Sequence, residues 1–463
     1  MERDEMVPST PTVSDAPAPE ETREARASFG ELSHPARTGE ASSGEDKAAA
    51  VRGRPWLVMQ RVDDPDPVRA SVQAGEDLRN GANGLSIVFA GAPNAFGFGI
   101  PSSADGLRAA LRDLPLREVN LRIDVHPQSR ASIDWLAKIL QEEQVDPSGV
   151  HLSFGVDPAS LFVGTGQLRM SLEALEASLP QSLGGFFALS LPGVLLESDS
   201  RVYHNAGASE AQELGITLAS VASHLKMFED ARQPVVYGLP HLGFAVSVDQ
   251  NILASVAKLR ALRRLWADLL AEYGVEPTPI PIHAETSFRM LSARDPQTNI
   301  IRNTMAAFAA AAGGATSITV LPHTLAVGLP DAAARRTALN TSLVQSIEVA
   351  AQDLVSASSE TLSTLVDEFC EGAREEFRRI EADGGILRSI HSGSLQKRIA
   401  EARQQQIERR SAIVGSTVHA AAQVALSDAL PEIRAQIAPD AAVTCEPLLP
   451  RRLESLAAGS PAA

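Results

Sequence analysis

Short β-rich runs alternate with helical segments along most of this chain, and this alternation constrains the fold more than any other feature. Seven runs are predicted as strands: Gly84 to Phe89, Val119 to Val125, Val150 to Val156, Gly184 to Leu191, Gly243 to Val248, Pro279 to His283 and Ser317 to Leu321. They are usually about 30 to 45 residues apart, the spacing of βαβ units, which implies a parallel sheet. A parallel (β/α)8 TIM-type barrel of the α/β class is the economical closure. The eighth strand is not identified, because Asn340 to Asp367 reads as helical or irregular.

The segment from Leu253 to Leu270 shows the clearest helical periodicity. Its apolar stripe consists of Leu253, Val256, Leu259, Leu262, Leu265 (or Trp266) and Leu269. Its basic residues, which take the other face, are Lys258, Arg260, Arg263 and Arg264. Such a pattern predicts an amphipathic helix that lies on the outside of the barrel.

Composition divides the chain into four predicted parts. Residues 1–52 are rich in Pro, Ala, Ser, Glu and Arg, so they cannot bury enough apolar surface to offset the entropy of ordering. We predict a flexible N-terminal tail there, which could wrap a partner subunit. Residues 53–357 are predicted to form the barrel, residues 358–430 a helical extension whose charged runs face solvent, and residues 431–463 a loosely ordered tail.

Charge and cysteine content exclude several classes of function. The formal net charge of −16 over 463 residues disfavours a nucleic acid partner, because phosphate binding relies on clustered Lys and Arg. The two cysteines, Cys370 and Cys445, have neither a metal-site spacing nor a disulfide framework, which indicates a reducing compartment. The sequence contains no apolar stretch of signal-peptide or membrane-span length. We therefore expect a soluble, cytoplasmic protein that does not bind membranes.

Most of the usual catalytic motifs are missing from the sequence. It has no P-loop, no G-x-G-x-x-G that opens a helix, no H-E-x-x-H and no G-x-S-x-G. In a parallel barrel, reactive groups follow the carboxyl ends of the strands. The polar candidates at such positions are Phe96 to Ser103, Tyr203-His204, His283 to Ser287 and His323. A histidine there could hydrogen-bond a carbonyl or move a proton, although each one taken alone is also compatible with a structural role.

Several motifs in this order resemble the methylmalonyl-CoA mutase family over about residues 54 to 425. They are Arg54-Pro55-Trp56-Leu57-Val58-Met59-Gln60-Arg61, Asn80 to Phe89, Tyr203-His204-Asn205-Ala206-Gly207-Ala208, Ala257 to Trp266, and His283-Ala284-Glu285-Thr286-Ser287. The resemblance implies a barrel threaded by the pantetheine arm of an acyl-CoA. It also implies a radical rearrangement of the acyl skeleton that depends on adenosylcobalamin carried by a separate flavodoxin-like domain.

The sequence departs from the catalytic pattern of that family in four places. Arg61 stands where active chains carry a tyrosine that wedges against the substrate, and a guanidinium cannot reproduce a planar phenol. Ser153 to Gly164 lacks the segment that brings an arginine to the substrate carboxylate. The spacing after Tyr203-His204 is two residues shorter, and the D-P-x-x-G-S-x-x-V-E segment is missing from Val344 to Glu376. These changes point to an inactive barrel.

The resemblance also assigns the candidate site residues. The vestigial catalytic candidates are Tyr203 and His204, and the candidate substrate-binding residues are Arg54, Gln60, Arg61, His283, Glu285 and Ser287. No metal ligands are predicted. The D-x-H-x-x-G loop that presents a histidine to cobalt is also missing, so the chain is not expected to bind cobalamin alone.

The leading hypothesis is a non-catalytic, small-subunit-type partner of a catalytic large mutase subunit that holds adenosylcobalamin. The sequence of Gln60 to Pro67 is similar to that of such subunits. Because the chain stops soon after Glu446 to Pro450, the degenerate cobalamin-type domain that such subunits carry is not expected. Two alternatives stay open. One is an active substrate subunit of a split acyl-CoA mutase that uses a separate cobalamin-binding protein, and the other is a free-standing acyl-CoA-binding protein.

Overall fold

Eight parallel strands form a closed barrel in the computed structural model. The structure describes residues 55–178, 184, 191–355, 358–409, 412–414, 416–419, 433 and 437–457. The barrel strands are β1 (Leu57–Val62), β2 (Gly84–Ile87), β3 (Asn120–Ile123), β4 (His151–Val156), β5 (Val194–Asp199), β6 (Leu242–Val248), β7 (Ile282–Thr286) and β8 (Ser317–Thr319). β8 pairs with β1 and closes the sheet. The predicted α/β barrel is therefore confirmed.

Two strands differ from the sequence prediction. The missing eighth strand is β1, at the start of the barrel, whereas the described residues of Asn340 to Asp367 are helical or irregular. The run predicted at Gly184 to Leu191 lies mostly outside the described residues, and the strand in this part of the barrel is β5. β1 carries Arg61 and β5 carries Glu197, and both side chains belong to the interior of the barrel.

Helices lie between the strands and continue after the barrel. They are α1 (Pro67–Arg79), α2 (Ala104–Ala110), α3 (Ser129–Glu142), α4 (Pro158–Thr165), α5 (Arg201–Ala206), α6 (Glu210–Asp230), α7 (Val235–Gly238), α8 (Ile252–Glu272), α9 (Thr298–Ala312), α10 (Ala332–Ile347), α11 (Glu360–Ala382), α12 (Ile386–His391), α13 (Ser394–Arg409) and α14 (Leu453–Ala457). Side-chain caps define several of their starts. Asp66 accepts from the amides of the first turn of α1, and Ser209 forms a capping box with Gln212 at α6.

Helix α8 corresponds to the amphipathic segment of the sequence, but it is covered on its outer side. Asp268 of α8 accepts from Arg374 of α11 at 2.5 Å, and Cys370 of α11 lies against the carbonyl of Ala261. The pattern placed Lys258 on the outward face, but the residue is buried, and its ammonium pairs with Glu213 of α6. Leu253, in the first turn, is 51% exposed and does not belong to the buried stripe.

The part of the chain that follows the barrel is helical where it is described. Helices α11, α12 and α13 cover residues 360–409, within the predicted extension at 358–430. The predicted tail at 1–52 lies outside the described residues, and the domain boundaries stay predictions. Among the helices in the described part of the chain, none has the length and apolar character needed to cross a membrane.

Candidate functional site

Two arginines and two glutamates point into the barrel from alternate strands. Arg61 of β1 donates from Nη1 to Oε2 of Glu285 of β7 at 3.0 Å, and Arg122 of β3 pairs with Glu197 of β5. All four are at most 2% exposed. Side chains from alternate strands commonly form one layer of a TIM-barrel core, and that layer is usually apolar. Here the layer is ionic, and we call these four residues the ionic layer.

A further arginine extends this network toward the carboxyl ends of the strands. Arg201, the first residue of α5, donates from Nη2 to Asp124 and to Asp199, both at 2.6 Å. Its Nη1 lies 3.4 Å from Oε1 of Glu285, which joins it to the ionic layer. Burial raises the pKa of Glu197, an effect opposed by Arg122. The interior of the barrel therefore holds a connected set of buried charges.

His204 is held by hydrogen bonds at both ring nitrogens. Its Nδ1 lies 2.5 Å from Oε1 of Glu213, and its Nε2 lies 2.8 Å from Oγ of Ser287. Lys258 donates to the other carboxylate oxygen of Glu213 at 2.8 Å. The sequence singled out His204 and Ser287 separately, and the structure brings them together. The sequence analysis did not identify Glu213 or Lys258 as site residues, although both lie in helices that follow barrel strands.

Tyr203, the neighbour of His204, is also enclosed. Its side chain is buried, and its hydroxyl has no hydrogen-bond partner among the described residues. Burial raises the pKa of this phenol well above its ordinary value, so the group stays protonated. Tyr203 is thus a neutral phenol inside the protein rather than a group that faces an open cleft.

The remaining predicted substrate residues are dispersed. Gln60 points away from the barrel interior, because its side-chain amide donates to the carbonyl oxygen of Arg335 in α10 at 3.1 Å. His283 faces the interior, and its Nδ1 lies 2.8 Å from Oγ of Ser317. Burial and nearby arginines lower its pKa well below the ordinary value, which keeps the imidazole neutral. Arg54 lies outside the described residues.

No metal centre is present within the described ranges. Those residues contain no group of three or more His, Cys, Asp and Glu side chains arranged to hold a metal ion. Cys370 and Cys445 are free thiols. The buried carboxylates of the ionic layer are instead paired with arginines.

Comparison with known proteins places these features in a family context. The family model described as methylmalonyl-CoA mutase matches residues 44–436. The methylmalonyl-CoA mutase small subunit of Streptomyces virginiae is 33% identical over 368 residues, which cover 78% of this chain and 58% of the relative. The probable small subunit of Mycobacterium tuberculosis is 30% identical over 329 residues, or 67% of this chain and 51% of the relative. The chain therefore spans about half the length of the curated relatives it matches.

Proposed function

This chain belongs to the methylmalonyl-CoA mutase family, and from that premise we propose that it is a non-catalytic, small-subunit-type partner of a cobalamin-dependent mutase chain. The partner chain would interconvert methylmalonyl-CoA and succinyl-CoA. The observation that carries the proposal is the ionic layer across the barrel interior, because this is the space through which the resemblance would route a pantetheine arm.

Opening that space has a free-energy cost. Arg61 and Glu285 are each at most 2% exposed, and so are Arg122 and Glu197. Separating a buried ion pair leaves charges that are neither paired nor solvated, and breaking such a pair costs about 3–5 kcal/mol. An acyl-CoA arm would have to displace two of these pairs while offering an uncharged chain in return. This supports a barrel that does not bind a thioester along its axis.

The surroundings of the two vestigial residues support the same proposal. Both nitrogens of His204 are engaged, by Glu213 and by Ser287, so a thioester carbonyl would have to compete with a buried serine. The phenol of Tyr203 is enclosed and protonated. A group that acts on substrate has to reach it within hydrogen-bond distance.

The two histidines of the candidate site, His204 and His283, do not fit as cobalt ligands. A cobalt ligand would need an accessible imidazole nitrogen, whereas His204 uses both of its nitrogens internally and His283 is buried beside Ser317. In the proposal, adenosylcobalamin belongs to the catalytic partner, and the complex works in the cytoplasm.

Activity measurements test the catalytic half of the proposal. The purified chain is mixed with adenosylcobalamin and methylmalonyl-CoA, with and without a separately purified cobalamin-binding subunit, and succinyl-CoA is quantified. We expect no turnover in either mixture, and calorimetric titration with CoA esters should give no heat of binding. Turnover with the cobalamin-binding subunit would overturn the proposal and establish an active subunit of a split mutase. Binding of CoA esters without turnover would instead establish a free-standing acyl-CoA-binding protein.

Assembly is tested by co-expression with a catalytic large subunit of the family. We expect the two chains to co-elute in a fixed ratio on size-exclusion chromatography, with mutase activity confined to that complex. Separate elution of two folded chains would contradict the partnership.

A further inference from the structure

Residues 442–454 cross the carboxyl end of the barrel, first as an extended chain and then, from Leu453, as the first turn of α14. We call this segment the C-terminal strap. Its main chain is held at every third residue: the amide of Ala442 donates to Leu168 O at 2.9 Å, that of Cys445 to Gly166 O at 2.9 Å, that of Leu448 to Val163 O at 2.8 Å, and that of Arg451 to Asn205 O at 2.8 Å. The strap is thus recognised through its backbone.

The strap starts as a short strand and continues through two prolines. Val443–Thr444 pairs antiparallel with Gln167–Leu168, and Pro447 and Pro450 follow, three residues apart. Gly166 has a φ of 75°, and a Cβ there would lie 3.2 Å from Pro447. This glycine therefore allows both the turn after α4 and the close approach of the strap. The backbone carbonyls that hold the strap line a groove, and this groove fits an extended, proline-containing peptide.

A single carboxylate fastens the end of the strap. Glu454 accepts from Ser292 Oγ at 2.6 Å, from the Ala293 amide at 2.7 Å and from Ser416 Oγ at 2.9 Å. It also pairs with Arg452. These hydrogen bonds to a charged acceptor are stronger than those between neutral groups. We call Glu454 and these partners the latch.

The strap joins segments that follow three different strands. Gly166 comes after β4 and α4, Asn205 lies in α5 directly after β5, and Ser292 follows β7. These are the connections at the carboxyl ends of the strands, where a barrel of this class places its reactive groups. The strap also contacts α4 through Cys445, whose thiol donates to the carbonyl oxygen of Phe162 at 3.6 Å. It covers the face at which a substrate or a partner domain would approach.

The rest of the strap contributes little apolar burial. Leu448 and Leu453 are its buried apolar side chains, whereas Ala442, Thr444 and Glu446 are exposed. Because burial of apolar surface supplies most of the stability of a packed segment, this one relies on its backbone hydrogen bonds and its latch. Loss of the latch should therefore release it without unfolding the barrel.

We propose that the C-terminal strap is a releasable cover, an extended proline-containing peptide bound in cis to a groove at the mouth of the barrel and held there by Glu454. Once the strap is released, the same groove binds a peptide of this chemistry in trans. This inference does not rest on the catalytic state of the chain.

Trypsin reports on release, because Arg451 and Arg452 are cleavage sites inside the strap. The full chain is compared with Glu454→Gln and with a matched control, Glu446→Gln, which changes an exposed carboxylate of the same segment. We expect cleavage at these arginines, and hydrogen exchange at the four strap amides, to be at least about tenfold faster in Glu454→Gln. The control should match the wild type. Equal rates in all three proteins would overturn the proposal.

Global unfolding is separated from release by thermal denaturation and by exchange at the amides of β6. Both should be unchanged in Glu454→Gln. If that variant is globally destabilised, Ser416→Ala, which removes one latch hydrogen bond, replaces it. We expect a smaller acceleration of strap cleavage in that variant with an unchanged melting temperature, and no acceleration would contradict the latch.

Binding in trans is measured with a fluorescent peptide of residues 440–457. We expect saturable anisotropy with Glu454→Gln and at least tenfold weaker binding to the wild type, in which the groove is filled. Size-exclusion chromatography distinguishes release in cis, which keeps the chain's oligomeric state, from exchange of straps between two copies, which raises it. Absence of peptide binding to the released variant, or equal binding to both proteins, would show that the groove does not accept peptides in trans.

Discussion

Arg61 of β1 and Glu285 of β7 form a buried ion pair across the barrel interior, with 3.0 Å between Nη1 and Oε2. Arg61 also donates from Nε to Asp63 at 2.9 Å and stacks its guanidinium over Phe96 at 5.3 Å from the ring centroid. The family resemblance implies a tyrosine at this position in catalytic chains. In this chain the guanidinium is held by Asp63, Glu285 and the ring of Phe96.

Arg61→Tyr should therefore destabilise the chain without restoring catalysis. The phenol cannot neutralise Glu285 or Asp63, and the loss of one partner from a buried pair costs about 3–5 kcal/mol. Urea unfolding measures the free energy. Arg108→Tyr is the control, since Arg108 pairs with Glu142 at the surface, where an ion pair contributes under about 1 kcal/mol. If Arg61→Tyr were as stable as the control and showed mutase activity, the ionic layer would have no structural role.

The contribution of Asp157 to stability should fall as pH rises from about 5 to 7. Burial raises the pKa of this carboxyl from 3.8 to about 7. The native state therefore binds a proton that the unfolded chain has released, so the stabilisation is complete below pH 3.8 and is lost as pH rises through 7. The slope from this group approaches about −1.4 kcal/mol per pH unit.

Asp157→Asn isolates this contribution. The difference in free energy of unfolding between the wild type and Asp157→Asn, measured in urea from about pH 4.5 to 8, should change in favour of the variant as pH rises. Burial lowers the pKa of His224 to about 4 and that of His126 to about 3, and both act in the opposite direction in the two proteins. His224 lines the same cavity as Asp157, so Asp157→Asn in a His224→Gln background serves as the control. A difference that does not vary with pH would mean that Asp157 is ionised in the fold.

The number and order of most strands could be predicted from the sequence, because apolar runs in β2, β3, β6 and β8 stand out between helical segments. The ionic layer could not. Arg122 lies between Leu121 and Ile123, a pattern that fits a strand with one polar face equally well. Only closure of the sheet turns that face inward and makes it meet Glu197. The latch was equally hidden, since Glu454 lies 162 residues from Ser292.

The predicted site residues were likewise identified correctly in part. His204 and Ser287 were recognised from motifs, and they are neighbours in the structure. Gln60 was grouped with Arg61, yet successive residues of a strand point to opposite faces, so Gln60 contacts α10 while Arg61 enters the barrel. A motif places residues in the right strand, but the pleat decides which of them share a site.

Glu213→Gln should be strongly destabilising, because it leaves the buried ammonium of Lys258 without a carboxylate. We expect a loss of about 3–5 kcal/mol. The double variant Glu213→Gln, Lys258→Met removes both charges and should recover at least half of that loss. Denaturation of the two single variants and the double variant gives the coupling free energy. Additive losses would show that the pair is not coupled, contrary to its 2.8 Å geometry.

Gly193, just before β5, is expected to tolerate no side chain. Its φ is 89°, and a Cβ would lie 2.0 Å from the carbonyl oxygen of Leu152 in β4. The strain of a left-handed alanine and this backbone overlap add, so Gly193→Ala should cost more than about 2 kcal/mol. Gly149→Ala is the matched control, because a Cβ added to Gly149 would have no neighbouring atom within 4 Å. The pairing of β4 with β5 shifts register between Ser153 and Val156, directly beside this contact. The alanine should therefore also displace Glu197 from Arg122, and hydrogen exchange should then accelerate in β4 and β5 alone. Stability equal to that of the Gly149→Ala control would contradict the close approach.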